Sequence, residues 1–415
     1  MHRRRKRPVE GSVKRLLLLA VCIVFALPVA AQTQQSPDEL RDALEAEGFE
    51  NLSVTRDSVG GGLSITYENR RYRWEIKALG IVLAKAAAGQ EGRLTIIPLY
   101  TGVPMARIEV DAADYRRFLN GELSKDELFS RLAFSTQVEA PVVQGQNSSF
   151  GKVDFTLSPG VRVNLITPAP PGMFHGGELR INPGVFTSLW RGLTFEGTYT
   201  YPFSSSNPVI SRAAACCNSR VGKQGFFQLQ VGRLGEDLSG LAAQSSFVSE
   251  NGQHEYGLMA SAAAYTGEDR TLSYQGFYTW RPTNLDLTAT LSAGRYLEGD
   301  TGYSARVVSG YGERNIEFFV TRTSLSRTTG AGFTIPLGTQ RQPYPGPVRL
   351  RFRNAFRFIY TDEKPMYNGG LLVPFVDGYQ VAHSRFNRAY LRVYAQEMRE
   401  AGASALPASA AQHEE

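Results

Sequence analysis

The densest chemistry in the chain lies at 348–360. Arg349, Arg351, Arg353 and Arg357 share one parity, and Val348, Leu350, Phe352, Phe356, Phe358 and Tyr360 share the other. Along a strand, a period of two sends these two sets to opposite faces. An arginine facing lipid at mid-membrane costs about 2–4 kcal/mol. If this strand crosses a bilayer, the arginine face must therefore point into the interior of a barrel. Four guanidinium forks on one wall would attract carboxylates or phosphates, including those of an acidic polymer. A second reading makes them internal struts, paired with acids such as Asp286, Glu196 or Glu317. Buried charges need partners, so both readings stand.

No catalytic set assembles from the remaining reactive residues. Beyond the first 31 residues the histidines are His175, His254, His383 and His413. His254 is next to Glu255 and near Ser246, but no Gly-x-Ser-x-Gly elbow supplies a nucleophile. Without an acid, base and nucleophile in reach of one another, no enzyme is expected. Cys216 and Cys217 are adjacent, which allows free thiols or a strained bridge. No cysteine or histidine spacing suits a metal, and no cofactor is expected.

The elements that must position the arginines lie downstream of an export signal. Residues 3–15 carry seven basic groups, Leu16 to Val29 form an apolar run, and Val29-Ala30-Ala31-Gln32 suits cleavage after Ala31. The run is shorter than a membrane span prefers, which favours a signal peptide at 1–31 over an anchor. Cys22 lies mid-run, not at its end, which argues against a lipoprotein. Cleavage removes seven of 45 basic and one of 39 acidic residues, leaving a neutral chain. The high isoelectric point thus belongs to the signal and gives no reason to expect a nucleic-acid partner.

Residues 37–135 read as a small periplasmic α/β domain. Ser36, Pro37 and Glu39 start a helix that Gly48 stops. Strand-like runs follow at 50–55, 62–68 and 71–77, with a helix at 78–89 and a strand pair at 93–99 and 103–110. A further helix runs from Asp111 to Gly121, and Ser124 with Glu127 caps another. Residues 136–150 read as a linker.

From 151 to 395 the pattern has period two. Leu285, Leu287, Ala289 and Leu291 alternate with Asp286, Thr288, Thr290 and Ser292, and similar alternation marks 192–201 and 226–231. Soluble sandwiches also alternate. Long strands, short turns and tyrosine or tryptophan near strand ends (Tyr199, Tyr201, Tyr278, Trp280) favour a barrel. The expected fold is mainly β, an outer-membrane antiparallel barrel of about 12–14 strands preceded by the periplasmic α/β domain. Strand starts are expected near 151, 160, 176, 192, 223, 239, 253, 270, 284, 301, 313, 327 and 347, with 203–222 as a long polar loop. Residues 384–400 suit a last strand or an amphipathic helix, and 396–415 read as a polar tail.

The segment Gly294-Arg295-Tyr296-Leu297-Glu298-Gly299-Asp300-Thr301-Gly302 resembles a Gly-Arg-Tyr-Leu-Ala-Gly-Asp-x-Gly segment of the YjbH/GfcD exopolysaccharide-associated outer-membrane family. It departs at Glu298, where that family has a small residue. Phe318 to Thr323 and Gly332 to Gly338 resemble the family's next two strands, and 71–86 and 103–121 resemble its small domain. The resemblance implies a role in exopolysaccharide or capsule export or assembly. It also implies periplasmic and lipoprotein partners, while outer-membrane lipid follows from the barrel reading and an anionic polysaccharide from the arginine ladder. It implies no catalytic residue. Within the segment, Gly294, Gly299, Gly302 and Asp300 suit a strand end and tight turn, and Arg295 suits an anchor at headgroup level. The alternatives are a porin or structural envelope barrel unrelated to polysaccharide or, with least support, a hydrolase.

Overall fold

The computed structural model describes residues 35–56, 62–138, 147–163, 177–203, 207–342, 346–352, 355–362 and 384–406. The expected signal peptide, most of the linker, His175, His383, His413 and Arg353 lie outside them. The chain is mainly β, with a small α/β body and one large sheet.

The α/β body begins as its capping residues dictate. Helix α1 (Pro37–Glu47) has Ser36 Oγ accepting from Glu39 N and Glu39 Oε2 accepting from Ser36 N, and Gly48 ends it at φ 100°. Strands β1 (Glu50–Arg56) and β2 (Leu63–Glu68) pair antiparallel. Helix α2 (Glu75–Gly89) then crosses over to β3 (Arg93–Tyr100), which lies parallel to β2. Strands β4 (Val103–Pro104), β5 (Arg107–Asp111) and β6 (Ala133–Ser135) complete the small sheet, with α3 (Ala112–Leu119) and α4 (Lys125–Arg131) between the last two.

Residues 71–77 do not form the expected strand. Asn69 Oδ1 accepts from the backbone N–H of Arg71 and Tyr72, an Asx turn that breaks the extended run and leads into α2.

The large sheet contains β7 (Val153–Val163), β8 (Gly177–Trp190), β9 (Leu193–Pro202), β10 (Val209–Val221), β11 (Gly225–Arg233), β12 (Leu238–Val248) and β13 (His254–Tyr265). It continues with β14 (Thr271–Trp280), β15 (Leu287–Arg295), β16 (Thr301–Tyr311), β17 (Arg314–Thr323), β18 (Arg327–Pro336), β19 (Val348–Phe352) and β20 (Ala355–Asp362). Strands β7 to β18 and β20 follow one another antiparallel, and β19 adds to β7 in parallel. The two edges of this path, β19 and β20, are consecutive in sequence, and β20 approaches β7.

The structure departs from two expectations of the sequence. The start read at 160 lies inside β7, because Pro159 and Gly160 sit within a continuous ladder opposite Ile181 and Arg180. The polar loop expected at 203–222 contains β10, whose small residues Ala213, Ala214 and Ala215 pair in full register with β11.

The end of the chain is helical. Helices α5 (Arg388–Val393) and α6 (Ala395–Ser404) settle the choice left open for 384–400 and take in the start of the expected tail. They belong to the α/β body: Tyr390, Leu391, Tyr394, Ala395, Met398 and Ala401 join its core with Leu79, Leu83, Tyr115 and Phe118. Small residues permit this close approach. A Cβ on Gly80 would lie 2.1 Å from the Met398 carbonyl oxygen, and one on Gly402 would lie 2.9 Å from that of Gly80. No helix among the described residues is long and apolar enough to cross a membrane, which says nothing about strands.

Candidate functional site at the docked end of the sheet

The α/β body rests on one end of the large sheet and touches successive turns along it. At the β8–β9 turn, Gly192 N donates to Thr101 O at 2.7 Å. At the end of β10, Arg220 donates to the carbonyls of Pro104 and Met105. Thr136 N reaches Glu250 O in the β12–β13 turn at 2.9 Å. Before β15, Tyr394 OH donates to Asp286 Oδ2 at 2.7 Å, and in the β16–β17 turn it accepts from Gly312 N at 2.8 Å. Arg73 grips Glu313 at 2.6 and 2.8 Å and also donates to the carbonyls of Leu337 and Gly338 beyond β18.

The Asx turn at Asn69 aims Arg70 and Arg73 at the sheet, and there a buried charge network forms. Arg70 Nε donates to Glu68 Oε1 at 2.8 Å, its Nη2 donates to Ser188 Oγ at 3.1 Å, and its guanidinium lies 5.0 Å from the Phe186 ring centre. Burial opposes the charge on Arg70, but Glu68 and Asp154 outweigh it and hold its pKa above the ordinary value. Asp154 accepts from Arg349 and, at 3.0 Å, from Arg351. Glu50 accepts from Arg349 at 2.7 Å and from Lys152 at 2.8 Å. Glu50, Glu68 and Asp154 are all essentially inaccessible to solvent. Three acids thus answer four bases across the seam between β1, β2, β7 and β19. Removing one member of such a network leaves charge buried without a partner, at about 3–5 kcal/mol.

Beside the network lies a cavity of about 240 Å³, whose lining includes Glu68, Arg70, Glu75, Tyr100, Asp154 and Arg351. Burial pushes the Glu75 carboxyl up to about 7, while the hydrogen bond from Asn69 and the charge of Arg385 pull the other way. Among the described residues no cluster of histidine, cysteine, aspartate or glutamate suits a metal ion.

The arginine ladder is placed in part. Arg349 and Arg351 turn to the concealed face of the sheet, while Val348 and Leu350 are exposed. Their carboxylate partners are Asp154 and Glu50, not the acids named from sequence: Glu196 pairs with Arg212, Glu317 with Arg306, and Asp286 accepts from Tyr394. Arg357 lies in β20 opposite Thr334.

The Gly294–Gly302 segment forms the β15–β16 hairpin at the other end of the sheet, with Gly294 opposite Gly302 and Arg295 opposite Thr301. A Cβ on Gly294 or Gly302 would lie 2.1 Å from a carbonyl oxygen of the neighbouring strand, and Gly299 has φ +81°. Tyr296 and Leu297 are buried, and Leu297 packs with Ala214, Leu234, Leu238 and Ala263. Close packing and turn geometry account for these residues.

The remaining reactive groups stand apart. His254 Nδ1 contacts Tyr278 OH at 2.8 Å, whereas Glu255 binds Arg281 at 2.6 Å. Cys216 is buried and Cys217 exposed, on opposite faces of β10, and both are free. Sequence reasoning missed Glu50, Glu68, Arg70 and Asp154. Glu50 begins β1 and Glu68 ends β2, Asp154 is second in β7 and Arg70 lies in the turn beyond β2, and no local pattern marks them as partners.

No protein-family model matches the chain, and no curated protein matches it either.

Proposed function

We propose that the large sheet is an outer-membrane β-barrel, with the α/β body seated on its periplasmic end, serving exopolysaccharide export or assembly. The observation that carries the membrane reading is the inversion of burial. Leu258, Leu272 and Phe318 are 69%, 63% and 59% exposed, while Gln230 and Gln275 are 0% and 1% exposed. A sheet in water would hide the first set and solvate the second. In lipid the outward apolar band is the buried surface, and the polar face lines the interior. Closure into a barrel is supported by the two edges of the sheet belonging to one stretch of chain, and by contacts from the α/β body to turns along the whole sheet.

The exopolysaccharide part rests on resemblance in the β15–β18 segment. A structural envelope barrel is the second reading, favoured by the neutralised Arg349 and Arg351, which offer no open anion ladder at the docked end. Purified protein in detergent is expected to migrate differently before and after boiling and to fractionate with the outer membrane. Recovery in the soluble periplasm contradicts the membrane reading. An in-frame deletion that leaves matrix polysaccharide unchanged contradicts the export role and leaves the structural one.

A further inference from the structure

The hairpins at the end of the sheet away from the α/β body carry a charge arrangement that the fold alone does not explain. Arg322 on β17 and Arg327 on β18 are directly opposite each other. Both are exposed, on the same face as Phe318 and Phe333. Like charges directly opposite across a ladder destabilise a sheet. Among the described residues, no hydrogen bond or ion pair joins either guanidinium to another group. Arg295, exposed at the end of β15, is in the same condition.

The contrast with neighbouring arginines is sharp. At the same end, Arg180 has Glu236 at 2.7 Å and Arg233 has Asp237 at 3.7 Å. The arginines Arg212 and Arg306 are paired with Glu196 and Glu317. Arg270 and Arg314 are also exposed without a partner among the described residues, but Arg322 and Arg327 add to this by facing each other directly across the ladder.

The surroundings suit a membrane interface. Tyr303 stands opposite Arg322, and Tyr274 stands opposite Arg295; both tyrosines are exposed. Next along β17 come Val320, Phe318 and Ile316, and then Arg314. Arg314 and Arg322 are eight residues apart, about 26 Å along the strand and about 20 Å of height at a barrel's strand tilt, which brackets most of a ~25 Å lipid belt.

We propose that Arg295, Arg322 and Arg327 form a binding surface for the phosphate of a lipid headgroup in the leaflet at the end distal to the α/β body. This rests on the membrane reading above. A phosphate set between Arg322 and Arg327 accepts hydrogen bonds from both forks and relieves their repulsion. The acyl chains of the same lipid then lie along Phe318, Ile316 and Phe333.

The test uses the full-length protein in detergent micelles, titrated with bisphosphorylated lipid A, with the same lipid stripped of its phosphates, and with phosphatidylcholine. Bound lipid is counted by native mass spectrometry. The parent protein should prefer the bisphosphorylated lipid by about tenfold or more, and the Arg322→Gln/Arg327→Gln double variant should lose that preference. The Arg322→Lys/Arg327→Lys variant should keep most of it, and Arg314→Gln, at the opposite end of β17, should leave it unchanged. Equal binding of the phosphorylated and stripped lipids, an unaffected glutamine variant, or displacement by millimolar inorganic phosphate would each overturn the assignment. Heat-modifiable migration of every preparation separates this outcome from failure of the membrane reading. A parent protein that migrates identically before and after boiling tells against the barrel itself.

Discussion

In the α/β body, Leu79, Leu83 and Ile96 are shielded and Lys125 and Glu122 face water, whereas in the large sheet Leu258 and Phe318 are exposed and Gln230 and Gln275 are concealed. The same hydrophobic effect acts in both regions, and on the proposed membrane reading what differs is the solvent it works against. The α/β body buries its apolar surface in its own core, with the C-terminal helices completing it. The sheet leaves its apolar surface outward, where lipid covers it on the proposed membrane reading. Their junction combines ion pairs and hydrogen bonds to turns with a buried apolar cluster in which Val103, Met105 and Ala106 meet Phe226 and Val248.

That comparison can be strained at several points. At the junction, Asp154→Ala leaves Arg349 and Arg351 without their shared carboxylate and is expected to cost about 3–5 kcal/mol. Thermal unfolding in detergent reads this, and a shift near zero would show the network to be dispensable. Within the α/β core, Leu79→Ala should cost about 2–5 kcal/mol through the cavity it opens. It should do so equally in detergent and in lipid, since that core is covered by protein.

On the sheet, Leu258→Arg is expected to cost about 2–4 kcal/mol when the protein folds into a bilayer. A soluble sheet would accept the same change at an exposed position with little effect, so an unchanged folding free energy breaks the comparison.

The last effect concerns pH. The Glu75 carboxyl sits at about 7 in the folded protein against an ordinary 4.5. Its contribution to stability is full below the ordinary value and is lost as pH rises through 7. Melting temperatures between pH 4.5 and 8 should fall with that sign, and Glu75→Gln should flatten the slope.

Much of this was legible in the sequence, because a period of two and capping residues are local signals. The Ser36 and Ser124 capping boxes appear where expected, and the alternation around Leu287, Ala289 and Leu291 falls within β15 or just before it. Strand β10 escaped notice because alanine, serine and cysteine give weak contrast between its faces. The helix at Glu75–Gly89 was misjudged at its start, since the Asn69 turn depends on side-chain hydrogen bonds and not on hydrophobic pattern. The C-terminal helices show the helical spacing of Tyr390 and Val393, but their burial depends on Gly80, which lies more than 300 residues earlier. The junction was least legible. Arg349 meets an aspartate 195 positions away and a glutamate 299 away; the β7–β19 register brings the first to it, and the seating of the α/β body on the sheet brings the second.

The inverted sheet is tested most directly by spin labels placed one at a time in a Cys216→Ser/Cys217→Ser background and reconstituted into vesicles. Labels at 258 and 318 should collide readily with oxygen and be shielded from a water-soluble nickel complex, while labels at 230 and 275 should not share that lipid signature. Nickel access equal to that of a water-exposed site at 258 and 318 would contradict the account.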